Sequence, residues 1–216
     1  MIFLNIKNIK EKIKNRIPGP TRIQHYFSVL IPLVEIDGEV HLIYELRSKE
    51  LNTQPGEVSF PGGRIERGEE FSQAAIRECS EELLIPESKI ELLGEADYLI
   101  TPFNFIIYAF VGKINIDSIE EIKVNSYEVE EIFTVPLEFF LNHQVEKYAA
   151  VLKSEFDQDF PYHLLPQGEK YNPRQGDYQI YFYRYQGLSY SGKTRIRIVA
   201  DRLLFASRTV SRWLSD

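Results

Sequence analysis

Three glutamates, Glu78, Glu81 and Glu82, stand close together in a segment with helical spacing, Glu69 to Leu84. On a helix they occupy positions i, i+3 and i+4, so their carboxylates share one face within about one turn. Like charges that close repel one another, and nothing about helix stability asks for them. Hard divalent cations, Mg²⁺ or Mn²⁺, relieve that repulsion, since they take carboxylate oxygens and keep positions for phosphate and water. The interleaved Phe71, Ala75, Cys79 and Leu83 form a second stripe suited to burial. A solvated acidic helix face would look the same, so the triad gains meaning only from its surroundings.

Those surroundings are specific. Gly63, five residues, Glu69, seven residues, Arg77-Glu78, Cys79, one free position and Glu81-Glu82 together resemble the Nudix box. The resemblance implies a Nudix-type α/β/α sandwich around a mixed β-sheet, with the box as a loop–helix–loop. It implies that Glu78, Glu81 and Glu82 hold Mg²⁺ or Mn²⁺, and that Glu69 and Arg77 pair to brace the loop against the helix. The implied reaction is hydrolysis of a nucleoside diphosphate linked to another group. Metals there neutralise the diphosphate, position a water and stabilise the leaving phosphate. The catalytic set is then Glu78, Arg77 and a carboxylate from beyond the box acting as base, with Glu128 the first candidate and Glu131 the second. Two positions depart from the box: Leu84 stands where the family has glycine, and Cys79 fills an apolar position. A left-handed Leu84 costs roughly 1 kcal/mol; otherwise the helix ends differently before Pro86.

Upstream, Arg47-Ser48, Leu51, Gly56, Val58 and Phe60-Pro61-Gly62-Gly63 resemble the motif of the coenzyme A pyrophosphatase branch of Nudix hydrolases, with Asn52 at a position that is basic in the motif. That resemblance implies coenzyme A or an acyl derivative as substrate, cut to 3′,5′-ADP and 4′-phosphopantetheine. Arg47 and Lys49 are the candidate phosphate contacts, because guanidinium and ammonium groups bind phosphate oxygens. Arg174 and Arg197 are further sources of positive charge. Pro61-Gly62-Gly63 reads as a turn whose backbone approaches a phosphate, which places Gly62 and Gly63 at the substrate. Asn125, Glu128 and Val129, with Val135-Pro136-Leu137, also resemble a downstream segment of that branch. Many members have a Trp-Gly helix start after the last strand; here that region reads Thr194 to Ala200, and the one tryptophan is Trp213. The resemblance therefore covers residues 26–142 well and the rest loosely. Alternative readings are ADP-ribose, dinucleotides such as NADH or dinucleoside polyphosphates as substrate, or a non-catalytic nucleotide-binding module. The complete set of Arg77, Glu78, Glu81 and Glu82 argues against the last.

The elements that must position these residues follow from periodicity. Ile2, Ile6, Ile9, Ile13 and Ile17 mark one face of an amphipathic helix closed by Pro18-Gly19-Pro20. Residues 1–24 thus read as a helix and linker packing on the domain or on a second subunit, as in a homodimer, and residues 25–216 as the hydrolase domain. Ser28–Ile36 and Val40–Arg47 read as a hairpin turning at Asp37-Gly38, with Val58–Phe60 a short extended piece. Ile90–Ile100 and Phe103–Lys113 form a second strand pair. Val129–Val135 is a strand and Leu137–Leu141 a short helix. Residues 153–178 read as a long loop of the kind that serves as a lid or binding loop. Tyr178–Gln186 is an aromatic strand with Tyr181, Tyr183 and Tyr185 on one face, and 194–214 is predicted to be a basic amphipathic helix.

Composition narrows the class further. The 216 residues carry 25 Lys+Arg against 32 Asp+Glu, a formal charge of −7, which argues against nucleic acid as partner and leaves a small nucleoside diphosphate derivative open. Cys79 is the single cysteine, so an internal disulfide is impossible. It reads as a small buried hydrophobe, and His25, His41, His143 and His163 show no ligand spacing. The longest apolar stretch, Tyr98 to Gly112, is broken by Thr101, Pro102 and Asn104, too short for the about 20 apolar residues a membrane helix needs. With no secretory pattern at the start, the expected location is cytoplasmic.

Overall fold

The computed structural model describes residues 5–142, 146–189 and 192–201. In chain order these form α1 (Ile6–Lys14), β1 (His25–Ile36), β2 (Glu39–Arg47), β3 (Val58–Ser59), β4 (Gly62–Arg64), α2 (Phe71–Leu83), β5 (Ile90–Glu95), β6 (Leu99–Ile100), β7 (Phe105–Ile114), β8 (Val129–Pro136), α3 (Leu137–Asn142), β9 (Glu146–Leu152), β10 (Gly176–Ser189) and β11 (Gly192–Asp201). The β1–β2 hairpin turns at Asp37 and Gly38, both with positive φ (51° and 81°), the pairing that matches strand twist.

Among the described residues the strands make one mixed sheet in the order β11-β10-β8-β2-β1-β7-β5, with β3, β4, β6 and β9 added to β2, β1, β7 and β10. β1 and β7 run parallel from His25 opposite Phe105 to Leu33 opposite Lys113, while β2 runs antiparallel to both β1 and β8. Both faces of the central strands are covered, which is why β1 and β2 read as nearly continuous apolar runs rather than alternating ones. On one face Ala75, Cys79 and Leu83 of α2 pack with Leu30, Val34, Ile43, Phe110 and Ile132. On the other, Phe140 of α3 and Tyr183 of β10 pack with Ile31, Leu42, Tyr44 and Phe133. A helix on each side of a mixed sheet is the α/β/α arrangement expected.

Three expectations change. The helix predicted for 194–214 is instead strand β11 over Gly192–Asp201, paired with β10 from Ile180 opposite Asp201 to Ser189 opposite Gly192. Its Arg195-Ile196-Arg197-Ile198 has a period of two, which suits a strand better than a helix; residues 202–216 lie outside the described residues, as does His143. Pro61-Gly62-Gly63 is not a turn: Gly62–Arg64 is extended and pairs with Val29, Ser28 and Phe27 of β1. The long loop stands close to the expected bounds, since β9 ends at Leu152 and pairs with the start of β10 at Gly176. In it, Phe156, Phe160, Tyr162 and Tyr171 cluster, with Phe156 and Phe160 rings 4.2 Å apart. Finally, α1 buries none of its residues against the described domain.

Candidate active site

α2 is tied to the sheet at its start by Ser28 Oγ, which donates to the Phe71 carbonyl at 2.7 Å. Its carboxylates then meet β4. The Gly62 N–H donates to Glu82 Oε2 at 2.8 Å. A Cβ on Gly62 would lie 2.6 Å from the Ser28 carbonyl, and one on Gly63 would lie 2.3 Å from the Glu78 carboxyl carbon. Neither glycine has positive φ. Gly62 is needed because the β1 backbone approaches too closely for any side chain, and at Gly63 a side chain would displace the Glu78 carboxylate.

The outer side of α2 is organised by Arg77. Its Nε and Nη2 reach the two Glu69 oxygens at 2.8 and 3.1 Å, the paired geometry that a planar guanidinium favours. Nη2 also donates to the Arg64 carbonyl, and Nη1 reaches Glu78 Oε1 at 2.9 Å and Glu81 Oε2 at 3.1 Å. The hydrogen bonds from Arg77 hold the Glu69 carboxyl below its usual range, and those carboxylates keep Arg77 firmly protonated. Glu81 stays 58 % exposed, whereas Glu78 is mostly buried, and burial pushes its pKa up against the pull of Arg77.

The inner side contains a residue that sequence reasoning missed. Glu45 of β2 is 0 % exposed and Glu82 is 2 % exposed. Glu45 pairs in register with Ser59, whose hydroxyl donates to its Oε1 at 2.8 Å, and Arg47 Nη1 stands 3.8 Å from the same oxygen. Its Oε2 is buried and meets no donor. The Glu45 carboxyl faces that of Glu82 within hydrogen-bonding reach, and burial, then mutual charge, pushes Glu82 upward; burial raises Glu45 as well. The only available hint was a glutamate inside Leu42-Ile43-Tyr44-Glu45-Leu46, a run buried on both faces.

Glu128 belongs to the same group. Its charge acts on Glu45, Glu78 and Glu82. The turn carrying it is fixed on both sides: Asn125 N–H donates to the Glu82 carbonyl at 2.9 Å, and Ser48 N–H to the Glu128 carbonyl at 2.8 Å. Glu131 does not join them. It lies opposite Leu46, which is paired with Val58 of the α3 face, so alternation turns it away from α2.

The phosphate-contact candidates separate. Arg47 closes the following loop through its backbone, to Glu57 and Gly56, and turns its side chain toward Glu45 with Nε buried and unpaired. Lys49 is 74 % exposed and pairs with Glu130 at 2.6 Å. Arg174 is exposed in the long loop, and the Arg197 side chain lies outside the described residues. Cys79 is fully buried and its thiol is pushed well up by that burial.

Among the described residues, no three acidic, His or Cys side chains already converge closely enough to hold an ion, and Glu81 is turned out to Arg77. The donor set nonetheless fits Mg²⁺ or Mn²⁺. All its atoms are hard carboxylate oxygens, and one of them, Glu45 Oε2, is buried without a donor.

A helix-borne acidic cluster on a two-faced mixed sheet defines the class, and comparison with known proteins agrees. The model of the NUDIX domain matches residues 25–159, and the chain belongs to that family. It is 34 % identical over 143 residues to Nudix hydrolase 3 of Caenorhabditis elegans, covering 62 % of this chain and 57 % of that protein. It is 32 % identical over 173 residues to the mouse peroxisomal coenzyme A diphosphatase NUDT7, covering 74 % and 68 %. The chain thus spans little more than half the length of the first of these relatives. A crystal structure of a C. elegans Ap4A hydrolase binary complex overlaps with a TM-score of 0.44 at 19 % identity, over 53 % of this chain and 81 % of that one.

Proposed function

We propose that this chain hydrolyses the diphosphate of a small nucleoside diphosphate derivative with Mg²⁺ or Mn²⁺, and that coenzyme A or an acyl-coenzyme A is its substrate. The observation that carries the reaction class is the convergence of Glu78 and Glu82 under β4, beside the Arg77–Glu69 brace. A divalent cation bound there supplies neutralisation of the diphosphate and activation of water. Glu78, Glu81 and Glu82 are the residues to hold it, Glu81 by turning away from Arg77. Glu128, outward-facing yet in the field of the buried carboxylates, takes the proton of the attacking water at its carboxylate, with Glu78 the alternative base. Arg77 keeps the Glu78 carboxylate oriented. Cys79 offers no nucleophile, since a buried neutral thiol does not attack.

Support for coenzyme A comes from the Arg47-to-Gly63 segment and from the name of the mouse relative. A site that pairs the 3′-phosphate with a Lys or Arg would prefer coenzyme A over its dephosphorylated form. One charge-assisted contact of about 1.5–3 kcal/mol gives roughly a 10- to 150-fold preference. Lys49 and Arg174 are the exposed candidates; Arg47 and the Gly62–Gly63 backbone lie deeper, toward the diphosphate. The turn of Arg47 toward Glu45 favours a second substrate set that lacks this phosphate, such as ADP-ribose or NADH. Residues 25–216 would act as the catalytic unit, with 1–24 an appendage free for a second copy. No described helix is long and apolar enough to cross a membrane. A cytoplasmic location stays a proposal beside the peroxisomal name of the mouse relative.

Product analysis across coenzyme A, dephospho-coenzyme A, ADP-ribose, NADH and diadenosine polyphosphates tests the whole reading. The expected result is 3′,5′-ADP and 4′-phosphopantetheine from coenzyme A, with activity lost in excess EDTA. Equal or faster cleavage of ADP-ribose would overturn the substrate, and undiminished hydrolysis in EDTA the metal. In ¹⁸O water a single turnover should label one product phosphate, without a covalent enzyme intermediate.

A further inference from the structure

The box and the segment after it account for Glu78, Glu81, Glu82 and Glu128, but not for Glu45. A carboxylate in the middle of a central strand, with no exposed surface, is expected to find donors for both oxygens. Glu45 finds one. Ser59 Oγ donates to Oε1 at 2.8 Å, and the nearest cation, Arg47 Nη1, stands at 3.8 Å from that same oxygen. Oε2 has no donor, and the group facing the carboxyl is another buried carboxyl, that of Glu82. Register fixes this arrangement: Glu45 lies opposite Ser59 on one side and Ile132 on the other, and Ile132 packs on the α2 face. The side chain therefore points toward the helix that carries the acidic cluster.

A buried oxygen without a partner, on a carboxyl that neighbours a second buried carboxyl, is what a hard cation would complete. We infer that Glu45 is a further carboxylate ligand of the cation site, brought by the central strand β2 from the side opposite the exposed Glu81. The inference rests on the metal-dependent reading above and adds a ligand that the box does not contain.

The test is Mn²⁺ binding by the full chain, followed by the electron paramagnetic resonance of free Mn²⁺, with thermal unfolding in EDTA measured in parallel. Glu45→Gln keeps an acceptor for Ser59 and gives Glu82 an N–H donor. It should weaken Mn²⁺ binding by about tenfold or more, while the EDTA melting temperature holds or rises. Glu121→Gln, remote from the cluster and paired with Lys89, should leave Mn²⁺ binding unchanged. A merely structural Glu45 would show the reverse pattern: a lower melting temperature and unchanged Mn²⁺ affinity in the folded protein, which overturns the assignment. Glu82→Gln separates the two levels. If it weakens Mn²⁺ binding and Glu45→Gln does not, only the Glu45 ligand falls; if the unaltered chain binds no Mn²⁺, the metal reading falls and takes this one with it. Should Glu45→Gln not fold, anomalous scattering from Mn²⁺-soaked crystals of the unaltered chain decides. An ion in contact with a Glu45 oxygen supports the inference, and an ion held by the α2 carboxylates with Glu45 out of contact overturns it.

Discussion

On the outer side of α2 the Glu69, Glu78 and Glu81 carboxylates meet the Arg77 cation, whereas on the inner side the Glu45 carboxylate meets another carboxylate. The outer rim is complete as it stands. Arg77 spreads five donor contacts over Glu69, Glu78, Glu81 and the Arg64 carbonyl. The inner floor, Glu45 and Glu82, is further from water, and its nearest cation, Arg47 Nη1, stands 3.8 Å from one Glu45 oxygen without a hydrogen bond to it. A pair of buried carboxyls of this kind costs stability, and apolar residues of similar size would pack there at less cost. The rim thus supports the fold, and the floor is tuned to something the fold does not itself supply.

The strongest way to sharpen this contrast is to neutralise the floor. Glu82→Gln should lower diphosphate turnover by about 10²–10³-fold or more, the scale of losing one electrostatic stabiliser of the transition state. In EDTA its melting temperature should hold or rise, since repulsion with Glu45 is relieved and an amide oxygen can still accept from Gly62. A marked fall in the EDTA melting temperature would show that the floor is structural after all. Rim substitution should do the opposite. Arg77→Ala leaves Glu69, Glu78 and Glu81 without their shared cation, and urea unfolding should show a loss of about 1–3 kcal/mol, the lower end reflecting partial solvent screening.

Glu69→Gln is a milder cut into the rim, because Arg77 keeps its other partners. Its signature is in the pH dependence. Arg77 lowers the folded pKa of Glu69 below the unfolded value. The resulting stabilisation is fully present above the unfolded carboxylate pKa of about 4.3 and is lost as pH falls through the lower folded value. The stability curves of Glu69→Gln and the unaltered chain should therefore differ at neutral pH and converge on acidification below about pH 4. Parallel curves throughout that window would remove Glu69 from the charged rim.

The rim and Glu82 are readable in the sequence and Glu45 is not, for a physical reason. Those residues lie within one local segment, Glu69 to Glu82, where sequence proximity and helical spacing show which side chains meet. Glu45 meets Glu82 only through the pairing of β2 with its neighbours, and its own strand is apolar on both faces, so periodicity cannot show which way it points. The same distinction holds elsewhere. The Asp37-Gly38 hairpin is a local signal and matches the structure. The short strand Gly62–Arg64 depends on contact with β1, so its sequence alone reads as a turn. At Thr194 to Ala200 basic and apolar residues fit a helical wheel loosely, yet the alternation of Arg195 to Ile198 carried the strand signal, and pairing with β10 made it decisive. Glu131 was a candidate by proximity in sequence to Glu128, and strand alternation sends it to the other face.

The smallest expected effect belongs to neither side. α2 ends with Leu84 in the left-handed region, φ 48° and ψ 42°, where a glycine is normally favoured. The conformation is imposed from outside the residue. Ile85, only 4 % exposed, is drawn into the core beneath the helix, and Ser80 Oγ donates to its carbonyl at 2.7 Å. The Leu84 side chain is 54 % exposed and contributes little packing in return for the strain. Leu84→Gly removes a penalty of about 1–2 kcal/mol for a left-handed L-residue, and gives back about 0.4–1 kcal/mol through a more flexible unfolded chain. The net should be a gain of about 0.5–1 kcal/mol in urea unfolding, with no change in slope. Mn²⁺ affinity should stay the same, because the Ser80–Ile85 bond, rather than the residue at 84, fixes where the helix stops. A loss of stability would show that the exposed leucine packs more than its surface suggests. A change in Mn²⁺ affinity would show that the register of Glu78, Glu81 and Glu82 depends on how α2 ends.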